Sequence, residues 1–193
     1  MTVRDVARDA YREALPALGA SLVGGLVAGV ILSGMRAELR AVPGLLVLVP
    51  ALLATRGNVY GSLGARISTA LHQGLVEPRI RGGDERLQSA VAAALANGLL
   101  VSAFAAVAAF SILTVLGDTV APLSVLIATA LVSGLLSGIA LVGVVVTVVF
   151  AGYRRGRDPD TLVGPLVTTT GDLFGMLFLL VAVRLVLFAS GVI

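Results

Sequence analysis

The sequence has no cysteine and only one histidine, His72, among its 193 residues. Without cysteine the chain can form no disulfide framework and no thiolate metal site, and one histidine cannot make a histidine cluster. The composition therefore gives no support to zinc, haem or iron–sulfur chemistry. Lysine is absent as well, so all 14 basic residues are arginines.

Charged residues are also scarce, at 13% of the chain, whereas 58% of the residues are hydrophobic and the mean hydropathy is +1.02. This composition is typical of a membrane protein with several spans. Strands are not expected, because an open sheet cannot satisfy its backbone groups in lipid. We predict an all-α integral membrane bundle in which residues 15–193 form one domain. Residues 1–14 are charged and predict a short cytoplasmic amphipathic lead-in, not a cleaved signal peptide.

Long apolar runs separated by polar breakers predict five transmembrane helices. The runs lie near residues 15–34, 43–75, 87–116, 121–150 and 159–190. The second run is expected to be interrupted at residues 54–61, which read ATRGNVYG. Asp158 and Pro159 predict the start of the fifth helix, because they supply an N-cap and a first-turn proline.

The arginines outside the spans predict the orientation of the bundle. One side carries only Arg36 and Arg40. The other side carries Arg4, Arg8, Arg12, Arg79, Arg81, Arg86, Arg154, Arg155 and Arg157. Because cytoplasmic loops are enriched in arginine, we expect a cytoplasmic N-terminus and an external C-terminus in the cell membrane. This signal also accounts for most of the net charge of +3, so nucleic acid is not an expected partner.

Asp172 is the one acidic residue of 11 that lies inside a predicted span. If the fifth helix begins near Pro159, Asp172 lies about 20 Å along its axis, close to the middle of the membrane. An ionised carboxylate at that depth costs at least about 2.5–3.5 kcal/mol, so it should face the bundle interior, water or a cation. The alternative is a carboxyl group that only hydrogen-bonds two helices together.

The residues around Asp172 favour a cation. Thr168 and Thr169 precede it by four and three residues, which places their oxygens on the same stripe of the helix. Pro165 has no N–H, so the carbonyl of Thr161 loses its helical partner. Hard divalent cations prefer such oxygen ligands.

Two glycines four residues apart, Gly171 and Gly175, bracket Asp172 and allow another helix to approach closely. The second span holds the other unusual residues, which are Pro50, Arg56, Gly57, Asn58 and Arg66. Two interpretations of them remain open: a kinked helix whose arginines extend to the membrane surface, or residues that line a pore.

Two motifs carry a resemblance to a known family. The first is P-A-L-L-A-T-R-G-N at residues 50–58, followed by R-I-S-T-A at residues 66–70. The second is D-P-D-T-L-V-G-P-L-V-T-T-T-G-D at residues 158–172. In this order on a five-span chain, they resemble the membrane domain of the MgtE-type magnesium transporters and look closest to the eukaryotic solute-carrier relatives of that family.

The resemblance implies a homodimer whose pore lies near the two-fold axis and is lined by the second and fifth helices. It also implies that Asp172 and Thr168, the latter through its carbonyl, bind the transported Mg²⁺. From the residues themselves we predict Thr161, Gly164, Pro165, Thr169, Pro50, Gly57 and Asn58 as pathway residues, and Arg56 and Arg66 as candidate gating or charge partners. The sequence departs from the family at Ser62, where bacterial members have Gln, and at Tyr60, where eukaryotic members often have an acid.

Other functions would also use some of these residues. The same carboxylate could serve a proton- or Na⁺-coupled cation exchanger, and a membrane scaffold subunit that transports nothing is a further alternative. An intramembrane aspartyl protease would need a second membrane aspartate and a GxGD motif, whereas Asp172 follows Thr-Thr-Gly. We therefore expect no enzymatic activity. The 14 residues before the first span are too few for the large cytoplasmic sensor of the bacterial transporters, so its regulation is not expected here.

Overall fold

The computed structural model describes residues 3–78, 84–155 and 159–191. Its helices are α1 (Val3–Gly34), α2 (Arg36–Ala41), α3 (Leu45–His72), α4 (Glu85–Leu116), α5 (Leu123–Arg154) and α6 (Pro159–Ala189). No strand occurs within these described ranges. The predicted all-α class is confirmed.

Four of these helices, α3 to α6, are long and apolar enough to cross a bilayer, with α6 counted from Gly164. A shorter apolar stretch, Leu18–Gly34, lies in α1 and follows directly from the helical lead-in. The arrangement is compatible with the five predicted spans. The orientation of the termini stays a prediction.

The expected interruption of the second span is absent, because α3 continues as a helix through residues 54–61. A glycine inside a helix costs about 1 kcal/mol, whereas each backbone group left unpaired in lipid costs several. A continuous helix at Gly57 therefore costs less free energy than an interrupted one. Pro50 also lies inside α3, where its missing N–H leaves the carbonyl of Leu46 without a helical partner.

Local signals set several helix ends. The side chain of Asp84 accepts hydrogen bonds from the backbone N–H groups of Arg86 and Leu87, which caps the first turn of α4. At the other end, Gly117 takes a φ of 75°, the left-handed conformation in which glycine commonly ends a helix. The predicted cap Asp158 lies outside the described residues, but α6 does begin at Pro159.

α6 occupies a central place, because it packs against α5, α1 and α3, and α3 in turn packs against α4 and α5. The buried apolar side chains form two clusters. On α3 the first cluster ends at Leu52 and the second begins at Tyr60. The polar residues of α3 around Arg56 therefore lie between two apolar layers.

Candidate functional site

Asp172 lines a cleft of about 350 Å³ between α3 and α6. The lining residues are Leu53, Ala54, Gly57 and Asn58 from α3, and Thr168, Gly171 and Asp172 from α6. Asp172 is half-buried at this position. The cleft therefore brings together five of the residues singled out in the sequence, two from the first motif and three from the second.

Helical spacing explains why these residues share one cleft. Thr168, Gly171 and Asp172 follow one another at steps of three and one, as do Ala54, Gly57 and Asn58 on α3, so each triplet lies on one face of its helix. A Cβ atom added to Gly57 or Gly171 would meet no other atom within 4 Å. These two glycines therefore border open space and keep the cleft wide.

Gly175, one turn beyond Gly171, has the opposite surroundings. A Cβ atom there would lie 2.5 Å from Nη1 of Arg56 and 2.6 Å from Cδ2 of Leu53. The close helix approach expected from the glycine pair thus occurs at Gly175 and not at Gly171. The glycine pair therefore has two roles: Gly175 lets α6 pack on α3, and Gly171 leaves the cleft open.

Three consecutive threonine hydroxyls of α6 donate hydrogen bonds to carbonyls of their own helix. Their acceptors are the carbonyls of Gly164 at 2.9 Å for Thr168, of Pro165 at 2.8 Å for Thr169, and of Leu166 at 2.5 Å for Thr170. Because the hydrogen points back to the helix, the hydroxyl oxygen of Thr168 keeps lone pairs for a cation in the cleft. Its carbonyl oxygen has a second lone pair as well.

The remaining predicted pathway residues whose side chains the structure describes do not line this cleft. Oγ1 of Thr169 lies 2.9 Å from Oγ of Ser21, and its side chain contacts Gly24, so it faces α1. Gly164 and Pro50 are exposed elsewhere on their helices, and Pro165 is half-buried. The side chain of Thr161 lies outside the described residues.

A polar stripe on α3 extends from the cleft and was not recognised in the sequence as a unit. It consists of Asn58, Ser62, Arg66, Thr69 and Gln73. Asn58, Ser62 and Arg66 also line a groove of about 300 Å³ against α4, together with Asn97. Steps of three and four residues between polar side chains could have revealed this stripe, because such residues share one helix face.

Arg56 is buried, with 4% exposure, and does not line the cleft. Its Nη2 donates a hydrogen bond of 2.6 Å to Oγ of Ser133 on α5. Its Nε and Nη1 have no hydrogen-bond partner among the described residues. Its guanidinium therefore does not extend to the membrane surface, whereas the Arg66 side chain is exposed.

An ion pair joins α2 to the C-terminal part of α6, beyond Asp172. Nε of Arg184 lies 2.8 Å from Oε1 of Glu38. The hydrogen bond from Arg184 lowers the pKa of Glu38 below its usual value, although burial acts in the opposite direction. The sequence contained both residues but no signal that linked them, because they are 146 positions apart.

The described part of the chain contains no group of three or more His, Cys, Asp or Glu side chains that could hold a metal ion. The cleft instead offers one carboxylate, from Asp172, and neutral oxygens from Asn58 and Thr168. A ligand set of this kind suits a cation that keeps part of its water shell.

Comparison with known proteins agrees with the motifs. A family model described as MgtE, divalent cation transporter, matches residues 49–182, which include the whole cleft. Solute carrier family 41 member 2 of Homo sapiens is 31% identical over 146 residues, which cover 72% of this chain and 25% of that protein. Solute carrier family 41 member 3 of Rattus norvegicus is 28% identical over 167 residues, or 83% of this chain and 35% of that protein.

The chain thus spans only a quarter to about a third of the length of these curated relatives. The matched region nevertheless covers most of the chain and contains both motifs that line the cleft. The predicted family is confirmed: this chain belongs to the MgtE family of divalent cation transporters.

Proposed function

We propose that this chain transports Mg²⁺ across the cell membrane as a multi-pass homodimer, with the cation bound at Asp172. The observation that carries the proposal is the cleft in which Asp172 and Thr168 of α6 face Asn58 of α3. Membership of a divalent cation transporter family supports the class of ion. Residues 15–193 are proposed to act as one transport domain.

The size and chemistry of the cleft suit a hydrated magnesium ion. Mg²⁺ prefers six oxygen ligands and usually keeps several waters while it binds one or two carboxylates. Six waters at about 30 Å³ each occupy about 180 Å³, which is less than the volume of the cleft, about 350 Å³. Asp172 would attract the ion, and the oxygens of Asn58 and Thr168 would contact it directly or through water.

A homodimer would complete the site. One chain supplies a single carboxylate, whereas two chains related by a two-fold axis supply a pair. The exposed polar stripe of α3 would be unfavourable against lipid, and a second copy would cover it. In the proposed orientation, the stripe leads from the cleft to the cytoplasmic end of α3 and forms the wall of the pore with α6.

A coupled exchanger is the second candidate, because one carboxylate among neutral oxygens also suits Na⁺ or a proton. Both candidates place the moving ion at Asp172. Liposomes with and without a Na⁺ or proton gradient separate them, since only an exchanger would lose Mg²⁺ uptake when the gradient is removed.

The test of the proposed function is Mg²⁺ uptake by the purified chain in liposomes. Asp172→Asn keeps the size of the side chain but removes its charge, so we expect uptake to fall at least about tenfold while the protein stays folded. Asp118→Asn, in an exposed loop, is the matched control and should transport like the wild type. Wild-type uptake by the Asp172→Asn protein would contradict the proposal.

A further inference from the structure

Arg56 is a buried charge that the proposed pathway does not use. Its guanidinium lies where α3, α5 and α6 meet and makes one hydrogen bond, to the neutral hydroxyl of Ser133. Two of its nitrogens, Nε and Nη1, have no partner within the described residues. Buried charged donors without acceptors are costly, so a second arrangement that pairs them would be strongly favoured.

The space around Arg56 does not suit a free anion. It is bordered by Thr55, Tyr60, Gly98, Ser102 and Gly134, and it has no room for a sphere the size of water. An acceptor for the guanidinium must therefore belong to the protein. Asp172 is the one acid in the interior of the described spans, and it lines the neighbouring cleft.

Arg56 contacts α6 at Gly175, one turn beyond Asp172. The two α6 residues are three positions apart, so they lie on adjacent turns of one helix face, about 4.5 Å apart along the axis. Nη1 of Arg56 lies 2.5 Å from where a Cβ atom of Gly175 would be. The guanidinium thus fills the place of a side chain at position 175. From there a change of rotamer would bring it toward the carboxylate.

We propose that Arg56 is a tethered competitor of the transported cation. Its guanidinium rests on Ser133 when a cation occupies the cleft, and it moves to the carboxylate of Asp172 when the cation leaves. This inference rests on the proposed function of the cleft. The movement to Asp172 neutralises two unfavourable charges at once. The guanidinium gains a carboxylate partner, and the emptied site holds no unpaired carboxylate.

The resting position on Ser133 is suited to such an exchange. α5 presents three fully buried hydroxyls toward the bundle, from Thr129, Ser133 and Ser137, and only Ser133 bonds to Arg56. One bond to a neutral hydroxyl holds a guanidinium less firmly than a carboxylate would. A dication carries twice the charge of the guanidinium, so it can displace Arg56 from Asp172 when it enters.

The test is the Mg²⁺ affinity of the purified full chain, measured by isothermal titration calorimetry in detergent. Arg56→Gln removes the competitor, so we expect Mg²⁺ to bind about tenfold more tightly or better. Ser133→Ala removes the resting position and frees the guanidinium for Asp172. It should therefore weaken Mg²⁺ binding several-fold, the opposite direction.

Uptake into liposomes adds a second readout. Without Arg56 the cation leaves Asp172 more slowly, so the Arg56→Gln protein should show lower uptake at saturating Mg²⁺ in spite of its higher affinity. Combining Arg56→Gln with Ser133→Ala should restore the tight binding of Arg56→Gln alone. Loss of a structural residue would also lower uptake, but it would not raise the affinity for Mg²⁺.

Ser137→Ala is the matched control, because Ser137 bonds only to carbonyls of its own helix, and its Mg²⁺ affinity should equal that of the wild type. Unchanged or weaker binding by folded Arg56→Gln protein would overturn the inference. If that variant does not fold, unchanged or tighter binding by Ser133→Ala would overturn it equally. Asp172→Asn separates the two proposals: if it loses Mg²⁺ binding while Arg56→Gln has no effect, the proposed function stands and only this inference fails.

Discussion

Two arginines in the bundle have opposite surroundings. Arg184, on α6, keeps 63% of its side chain exposed and pairs with Glu38 of α2. Arg56, on α3, is 4% exposed and bonds to one neutral hydroxyl, that of Ser133. The exposed arginine has a carboxylate partner, and the buried arginine has none among the described residues. This contrast supports the proposed role of Arg56, because stability alone would not retain an unpaired charge in the more costly place.

The largest effect on stability is expected at Ser133. Ser133→Ala removes the one described partner of a buried charge and should lower the free energy of unfolding by about 2–3 kcal/mol. Saturating Mg²⁺ should be present, so that Asp172 is occupied. The measurement is thermal unfolding in detergent. Ser137 is equally buried, and its hydroxyl bonds only within α5, so Ser137→Ala is the control and should lower the free energy of unfolding less. Equal losses in the two variants would show that the hydrogen bond to Arg56 adds no stability.

A change of the opposite sign is expected at Arg56 itself. Arg56→Met keeps a long side chain but removes the poorly paired charge, so with Mg²⁺ present the free energy of unfolding should rise by about 1–2 kcal/mol. Arg184→Met, which breaks an ion pair, should not stabilise the protein. The same unfolding experiment compares the two variants, and a clear loss of stability in Arg56→Met would mean that its guanidinium is well paired.

A smaller effect is expected at the outer ion pair. Glu38→Gln should lower the free energy of unfolding by about 0.5–1 kcal/mol, because solvent at the exposed Arg184 screens the attraction. Asp118→Asn, in an exposed loop, serves as the control with no expected change. If Glu38→Gln lowered the free energy of unfolding as much as Ser133→Ala, the surroundings of the two arginines would not differ in their effect on stability.

The smallest effect is the pH dependence of the same pair. The pKa of Glu38 is lowered from its usual value of 4.5 by the hydrogen bond from Arg184. Its contribution to stability is therefore fully present above about pH 4.5 and is lost as the pH falls through the lowered pKa. Melting temperatures of wild type and Glu38→Gln should differ at pH 7 and converge in acid. A difference that persists below the lowered pKa would contradict this assignment.

The two motifs show how far local patterns reach. Asp172, Thr168, Gly57 and Asn58 were singled out in the sequence, and the structure places all four on one cleft. Thr169 shares the stripe of Asp172 by spacing alone, yet it bonds to Ser21 of α1. The period of a helix states which residues share a face, but not which neighbour that face meets.

The interruption expected in the second span shows that local signals can also predict a feature that the fold does not have. Propensity alone counts Gly57 and Asn58 against a helix, and the local sequence contains two further signals of disturbance in Pro50 and Arg56. The bilayer outweighs these signals, since unpaired backbone in lipid costs more than unfavourable helix residues. α3 is therefore continuous, and its polar residues act through their side chains.

The sequence by itself determined the all-α class, the apolar spans and the family, because hydropathy, helical period and motif order are properties of contiguous residues. Only the tertiary structure decided that Gly171 borders a cleft while Gly175 packs against α3, that Arg56 turns to Ser133, and that Glu38 meets Arg184. These contacts depend on how each helix is rotated about its axis and on which helices are its neighbours. Packing of small side chains between helices sets that rotation, and such packing joins residues that are far apart in the chain.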